Sequence, residues 1–150
     1  MNTKILILLA LTLMFCACKK DTYKTKPQIS IKSINSTKLS PGALLLFQIE
    51  FTDAEGDVSD SLWVQKVSRT CPNTAGVQFL VKNKVPDFSP TSNLAGILEL
   101  GYAYNANISG YPSISGCGTK NDTAYFKFWL RDKGNNTSDT ITSQDIVLLK

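Results

Sequence analysis

Strict alternation of inward and outward residues is what most constrains this chain. Thr123 to Arg131 reads TAYFKFWLR, with Phe126, Phe128 and Leu130 in one phase and Tyr125, Lys127, Trp129 and Arg131 in the other. A period of two belongs to a β-strand with one buried face; a helix would scatter the same residues around its axis. Ala43 to Thr52 repeats the pattern, with Leu45, Phe47, Ile49 and Phe51 set against Gln48 and Glu50. Gln28 to Ile34, Ser61 to Arg69, Val77 to Lys82, Leu94 to Tyr104 and Ser138 to Leu149 complete the predicted strands. Turn residues separate them, including Ser40-Pro41-Gly42 and the prolines Pro86 and Pro90.

Seven short strands with turns between them, and no helical stripe, predict an all-β fold. The pattern is that of a single immunoglobulin-like sandwich of about seven strands over residues 28–150, a length that carries one core rather than two. Trp63 is expected in that core, where such sandwiches place a buried tryptophan. In this topology the third strand ends, and the sixth begins, at one end of the domain. Cys71 follows the third predicted strand and Cys117 precedes the sixth, so a Cys71–Cys117 disulfide is expected. On the loop-entropy account a bridge across this separation stabilises by about 4 kcal/mol.

The N-terminus addresses the chain to an oxidising compartment. Lys4 precedes a largely apolar run from Ile5 to Phe15, shorter than the roughly 17 to 25 residues of a membrane-spanning helix. The run ends at Ala17-Cys18 and gives way at once to Lys19, Lys20 and Asp21. This junction resembles the lipobox of bacterial lipoproteins, with residues 1–17 as signal peptide and Cys18 as the acylated first residue of the mature chain. Phe15 and Cys16 depart from the aliphatic and small residues usual there. The alternatives are a cleaved signal without lipid and a buried N-terminal helix holding both cysteines. The resemblance implies a membrane partner through the lipid, and two or more acyl chains give stable anchoring. Residues 18–27 then form the lipidated cysteine and a solvated tether of up to about 30 Å. Lys19, in place of Asp, resembles lipoproteins sorted to the outer membrane. The anchor as a whole is similar to those of small Bacteroidota envelope lipoproteins.

Two polar loops are expected together at the end opposite the disulfide. TDAEGDVSD, after the second predicted strand, carries Asp53, Glu55, Asp57 and Asp60; RDKGNN, after the sixth, carries Asp132, Asn135 and Asn136. Calcium takes six to eight oxygen ligands, and an alternating D-x-E-x-D with Gly56 at the turn supplies several on one side of a loop. The stretch resembles the acidic loop of cadherin-like and related bacterial surface modules, without their paired acidic linker motif. Asp53, Glu55, Asp57 and Asp132 are therefore the candidate calcium ligands. The alternative is a solvated turn in which Asp, Gly and Asn serve backbone geometry.

A second candidate surface is aromatic. Tyr125 and Trp129 lie beside Lys127 and Arg131 on the outward phase of one strand, a combination that can stack on sugars or peptides; the alternative is that aromatics simply suit strands and the long basic side chains cover them. Tyr102, Tyr104 and Tyr111 sit in or beside GYAYNANISGY. Other functions are restricted. The signal removes only Lys4 from the 16 basic residues, leaving a small surplus over 12 acidic ones with no basic stripe, against nucleic-acid binding. The chain has no histidine, which excludes Ser-His-Asp and Cys-His catalysis and imidazole-held zinc. The expected function is not enzymatic: a lipid-anchored envelope protein presents a β-sandwich binding or adhesion module to an envelope protein or glycan. A structural subunit of an envelope complex and a carboxylate-based hydrolase are the alternatives.

Overall fold

A computed structural model describes residues 23–150 apart from Pro90, so the signal peptide and Cys18 lie outside the described residues. The described residues form ten strands in two sheets and contain no helix. One sheet joins β1 (Gln28–Ile34), β3 (Leu44–Asp53), β6 (Leu94–Tyr104) and the short β7 (Ser113–Ile114), in that order. The other runs β2 (Lys38–Leu39), β10 (Ile146–Leu148), β8 (Asp122–Arg131), β4 (Ser61–Ser68) and β5 (Phe79–Lys84), with β9 (Ile141–Thr142) paired to β8.

The inward phases predicted from sequence meet between the sheets. Leu45, Phe47, Ile49 and Phe51 of β3 face Phe126, Phe128 and Leu130 of β8, all essentially sealed from solvent. The ring of Phe47 lies 5.0 Å, centroid to centroid, from those of both Phe126 and Phe128. At the Ser40-Pro41-Gly42 turn, Ala43 N–H donates to the Ser40 carbonyl and Gly42 takes φ 88°, which a side chain would oppose.

The all-β sandwich stands, but the expected count of seven strands is corrected to ten. β2 and β7 are two-residue additions, and Ser138 to Leu149 is broken into β9 and β10 rather than running as one strand. Serine hydroxyls cause the break. Leu130 N–H donates to Ser138 Oγ and Phe126 N–H to Ser143 Oγ, so side chains take ladder positions that backbone carbonyls would otherwise fill.

Trp63 also departs from expectation. It lies on the outer face of the second sheet, its indole stacked on that of Trp129, while its strand neighbours Leu62 and Val64 fill the core. Tyr102 and Tyr104 move the other way: both are buried, and only Tyr111 of that trio keeps partial exposure.

At one end of the sandwich Cys71 and Cys117 are bonded, with their Cα atoms 5.9 Å apart. Beneath the bridge Lys66 is wholly buried. Its ammonium donates to the Val77 carbonyl at 2.7 Å, the Ser115 carbonyl at 3.0 Å and Asp122 Oδ2 at 2.8 Å. All three donors of the ammonium are thereby used. The Ser68 hydroxyl donates to Asp122 Oδ1 and accepts from Cys71 N–H, which links the ion pair to the disulfide. Burial pushes the Lys66 amine below its ordinary range, against the opposing pull of Asp122.

Candidate metal centre

At the opposite end, β3 runs into the acidic loop and β8 into Asp132–Asn136. Each of Asp53, Asp57 and Asp132 brings a carboxylate oxygen within 4.8 Å of the others. Asp53 and Asp132 are sealed from solvent and Asp57 is partly covered.

The backbone explains this convergence. Asp53 Oδ2 accepts from Gly56 N–H at 2.6 Å and Asp57 N–H at 3.2 Å, curling the loop back over its own first carboxylate. Gly56 completes the curl at φ 71°, pressed against the Thr91 backbone where a Cβ would have no room. Asp132 is held by Asn136, whose N–H donates to Oδ1 at 2.7 Å and whose amide donates to Oδ2 at 2.9 Å. Asp57 ties the loops together: its Oδ2 accepts from Gly134 N–H at 3.1 Å and its carbonyl from Lys133 N–H at 3.0 Å.

One atom is left over. Asp53 Oδ1 is buried and has no hydrogen-bond donor. Removing a carboxylate oxygen from water without a partner is costly, and here two further carboxylates stand beside it with no lysine or arginine paired to the trio among the described residues. Burial, reinforced by the charges of Asp57 and Asp132, raises the Asp53 pKa despite the two backbone N–H groups on its other oxygen. A divalent cation among the three carboxylates would relieve the charge repulsion and supply the missing partner. Hard oxygen donors from two loops suit calcium, with carbonyls and water completing its six to eight ligands.

The sequence-predicted ligands divide. Asp53, Asp57 and Asp132 come together, whereas Glu55 is exposed and stands outside the trio. Asp60 turns to the outer sheet face, 3.4 Å from Arg131 and 3.9 Å from Lys82. Asn136 orients Asp132, and Asn135 accepts from the Arg131 guanidinium. Tyr125 and Trp129 lie on the outer face of the second sheet, partly exposed.

The acidic end is also where residues 24–26 meet the domain. Ala54 N–H, inside the acidic loop, donates to the Lys24 carbonyl at 3.0 Å, and Lys26 pairs with Asp139 at 2.6 Å. Comparison with known proteins leaves the site to be read from its own geometry: no protein-family model, curated protein or solved structure matches the chain.

Proposed function

We propose that this protein is a non-enzymatic, lipid-anchored envelope module whose β-sandwich is held at its tethered end by calcium and presents its outer faces for binding. The buried, donorless Asp53 oxygen beside two further carboxylates carries the calcium reading. The anchor reading rests on Ile5 to Phe15 followed by Ala17-Cys18-Lys19, which resembles a lipoprotein signal junction. An outer-membrane address and a likeness to Bacteroidota lipoproteins belong to the same reading. The disulfide supports an oxidising compartment, because cytosolic thiols are kept reduced.

Calcium is tested on the full chain, purified in detergent, stripped with chelator and then melted with and without excess calcium. At about a hundred times its Kd a ligand adds roughly 2.7 kcal/mol, or about 10 °C in a domain of this size. An unchanged midpoint rejects the metal centre. The anchor is tested by metabolic labelling with an alkyne fatty acid in a bacterial host: Cys18→Ser abolishes the label if Cys18 is the acylated residue, and a label that persists places the lipid elsewhere.

A further inference from the structure

The outer face of the second sheet has a composition that the core and the metal centre do not explain. Trp63 and Trp129 are register partners on β4 and β8, their rings parallel within 5° and their centroids 6.0 Å apart. The Lys82 ammonium sits 5.8 Å from the Trp63 ring centroid, and the Arg69 guanidinium 4.4 Å over Tyr125. Outward positions along β5, β4 and β8 carry Leu80, Lys82 and Lys84; Trp63, Gln65 and Val67; and Thr123, Tyr125, Lys127, Trp129 and Arg131. None of these is a carboxylate. The acids that neutralise this face stand at its rim, where Asp60 meets Arg131 and Lys82 and Asp145 meets Arg69. Lys127, at the centre, has no carboxylate partner among the described residues.

Beside Lys127 the face is hollowed. Gln65, Lys127, Trp129, Thr137 and Thr140 line this shallow, wide-open depression. It combines an indole surface, one amide, one ammonium and two hydroxyls. A peptide seeking backbone partners would add to a sheet edge, but edge strand β5 shows solvent Lys82 and Lys84, side chains that oppose strand addition. A sugar needs no edge: its C–H face lies on an aromatic ring while its hydroxyls take amide and hydroxyl partners. The Lys127 ammonium, 5.9 Å from the Tyr125 ring centroid but with no carboxylate partner among the described residues, adds a requirement for negative charge on that sugar.

We propose that this face binds an acidic glycan, a chain of carboxylated or sulfated sugars, with one ring on Trp129 and its anionic group at Lys127. The inference names a ligand class for the display module proposed above but does not depend on the calcium centre. Its test is therefore run in chelator, on full chain that a melting transition shows to be folded. Tryptophan fluorescence is titrated with oligogalacturonate and with a heparin oligosaccharide, and in parallel with neutral maltohexaose. Saturable binding of at least one acidic probe, with none of maltohexaose, is expected. Lys127→Gln, which leaves the indoles in place, should weaken that binding by about tenfold or more, the usual worth of a charge-assisted hydrogen bond. Trp129→Ala should remove it. Failure of both acidic probes to bind, equal binding of maltohexaose, or affinity unchanged in Lys127→Gln overturns the proposal.

Discussion

The two ends of this sandwich bury carboxylates in opposite ways. At the disulfide end Asp122 is sealed from solvent with the Lys66 ammonium on one oxygen and the Ser68 hydroxyl on the other. At the acidic end Asp53 is sealed just as fully, yet one oxygen has no donor and its charged neighbours are two more carboxylates. The same fold thus carries its own cation at one end and lacks one at the other. A buried anion is tolerated when its counter-charge is part of the chain; otherwise the counter-charge has to come from solution or the carboxyl has to take up a proton. The disulfide end holds its counter-charge within the chain, and the acidic end does not.

Removing the internal cation is the harshest way to break this contrast. Lys66→Met leaves Asp122 charged, buried and unpaired, and should lower stability by about 3 to 5 kcal/mol in denaturant unfolding. Lys66→Met combined with Asp122→Leu should recover much of that loss, since two packed apolar side chains replace an ion pair at little net change. A double variant as unstable as the single one would show that Asp122 does more than partner Lys66.

A gentler change at the other end should act with opposite signs in two buffers. Asp53→Asn removes a buried charge and turns the donorless oxygen position into an amide that donates to its neighbours. In chelator it should stabilise the chain by about 1 kcal/mol, the lower end of what an unsatisfied buried group costs. In excess calcium the order should reverse, because the variant forfeits the ligand's contribution. A variant less stable than the parent in both buffers would mark Asp53 as a loop residue only.

Acidity gives the smallest and most specific effect. Because the folded Asp53 carboxyl binds its proton more tightly than an unfolded one, the metal-free chain holds an extra proton as pH rises above the ordinary Asp value of 3.8. Its stability should therefore fall through that window as Asp53 is forced to ionise. Saturating calcium, which favours the ionised form, should flatten or reverse the trend, and melting at a series of pH values with and without calcium shows whether it does. An identical slope in both would separate the Asp53 carboxyl from the metal.

Much of this arrangement is legible in the sequence, because alternation is a strong signal. The phase of Phe126, Phe128 and Leu130 fixes which side of β8 is core, and strand order alone puts Cys71 beside Cys117 and the two acidic loops at one end. The same phase contained more. Lys66 shares the inward phase of Leu62 and Val64, and Asp122, one residue before the predicted strand, continues the phase of Ala124 and Phe126. Their charge argues for solvent, and only their meeting across β4 and β8 explains the burial. Trp63 shows the reverse: residue type suggests a core position, whereas its phase opposite Leu62 and Val64 gives the outer face it occupies. Which acids converge was not legible, because it depends on the curl at Gly56 that turns Asp57 inward and leaves Glu55 in solvent. The Ser138 and Ser143 hydroxyls that interrupt the final strand leave no periodic trace at all.

The hydrogen bond from Ala54 to Lys24 has a mechanical meaning. Any pull transmitted through the residues before Tyr23 reaches the domain first at that bond and at the Lys26–Asp139 pair, and then at the β1–β3 ladder, whose first register pair is Gln28 with Thr52. Thr52 immediately precedes Asp53, so the strand end that takes the strain is also the one carrying the three carboxylates. An ion seated there would clamp the loop at the point of loading, and the force needed to peel β1 away would rise with calcium concentration.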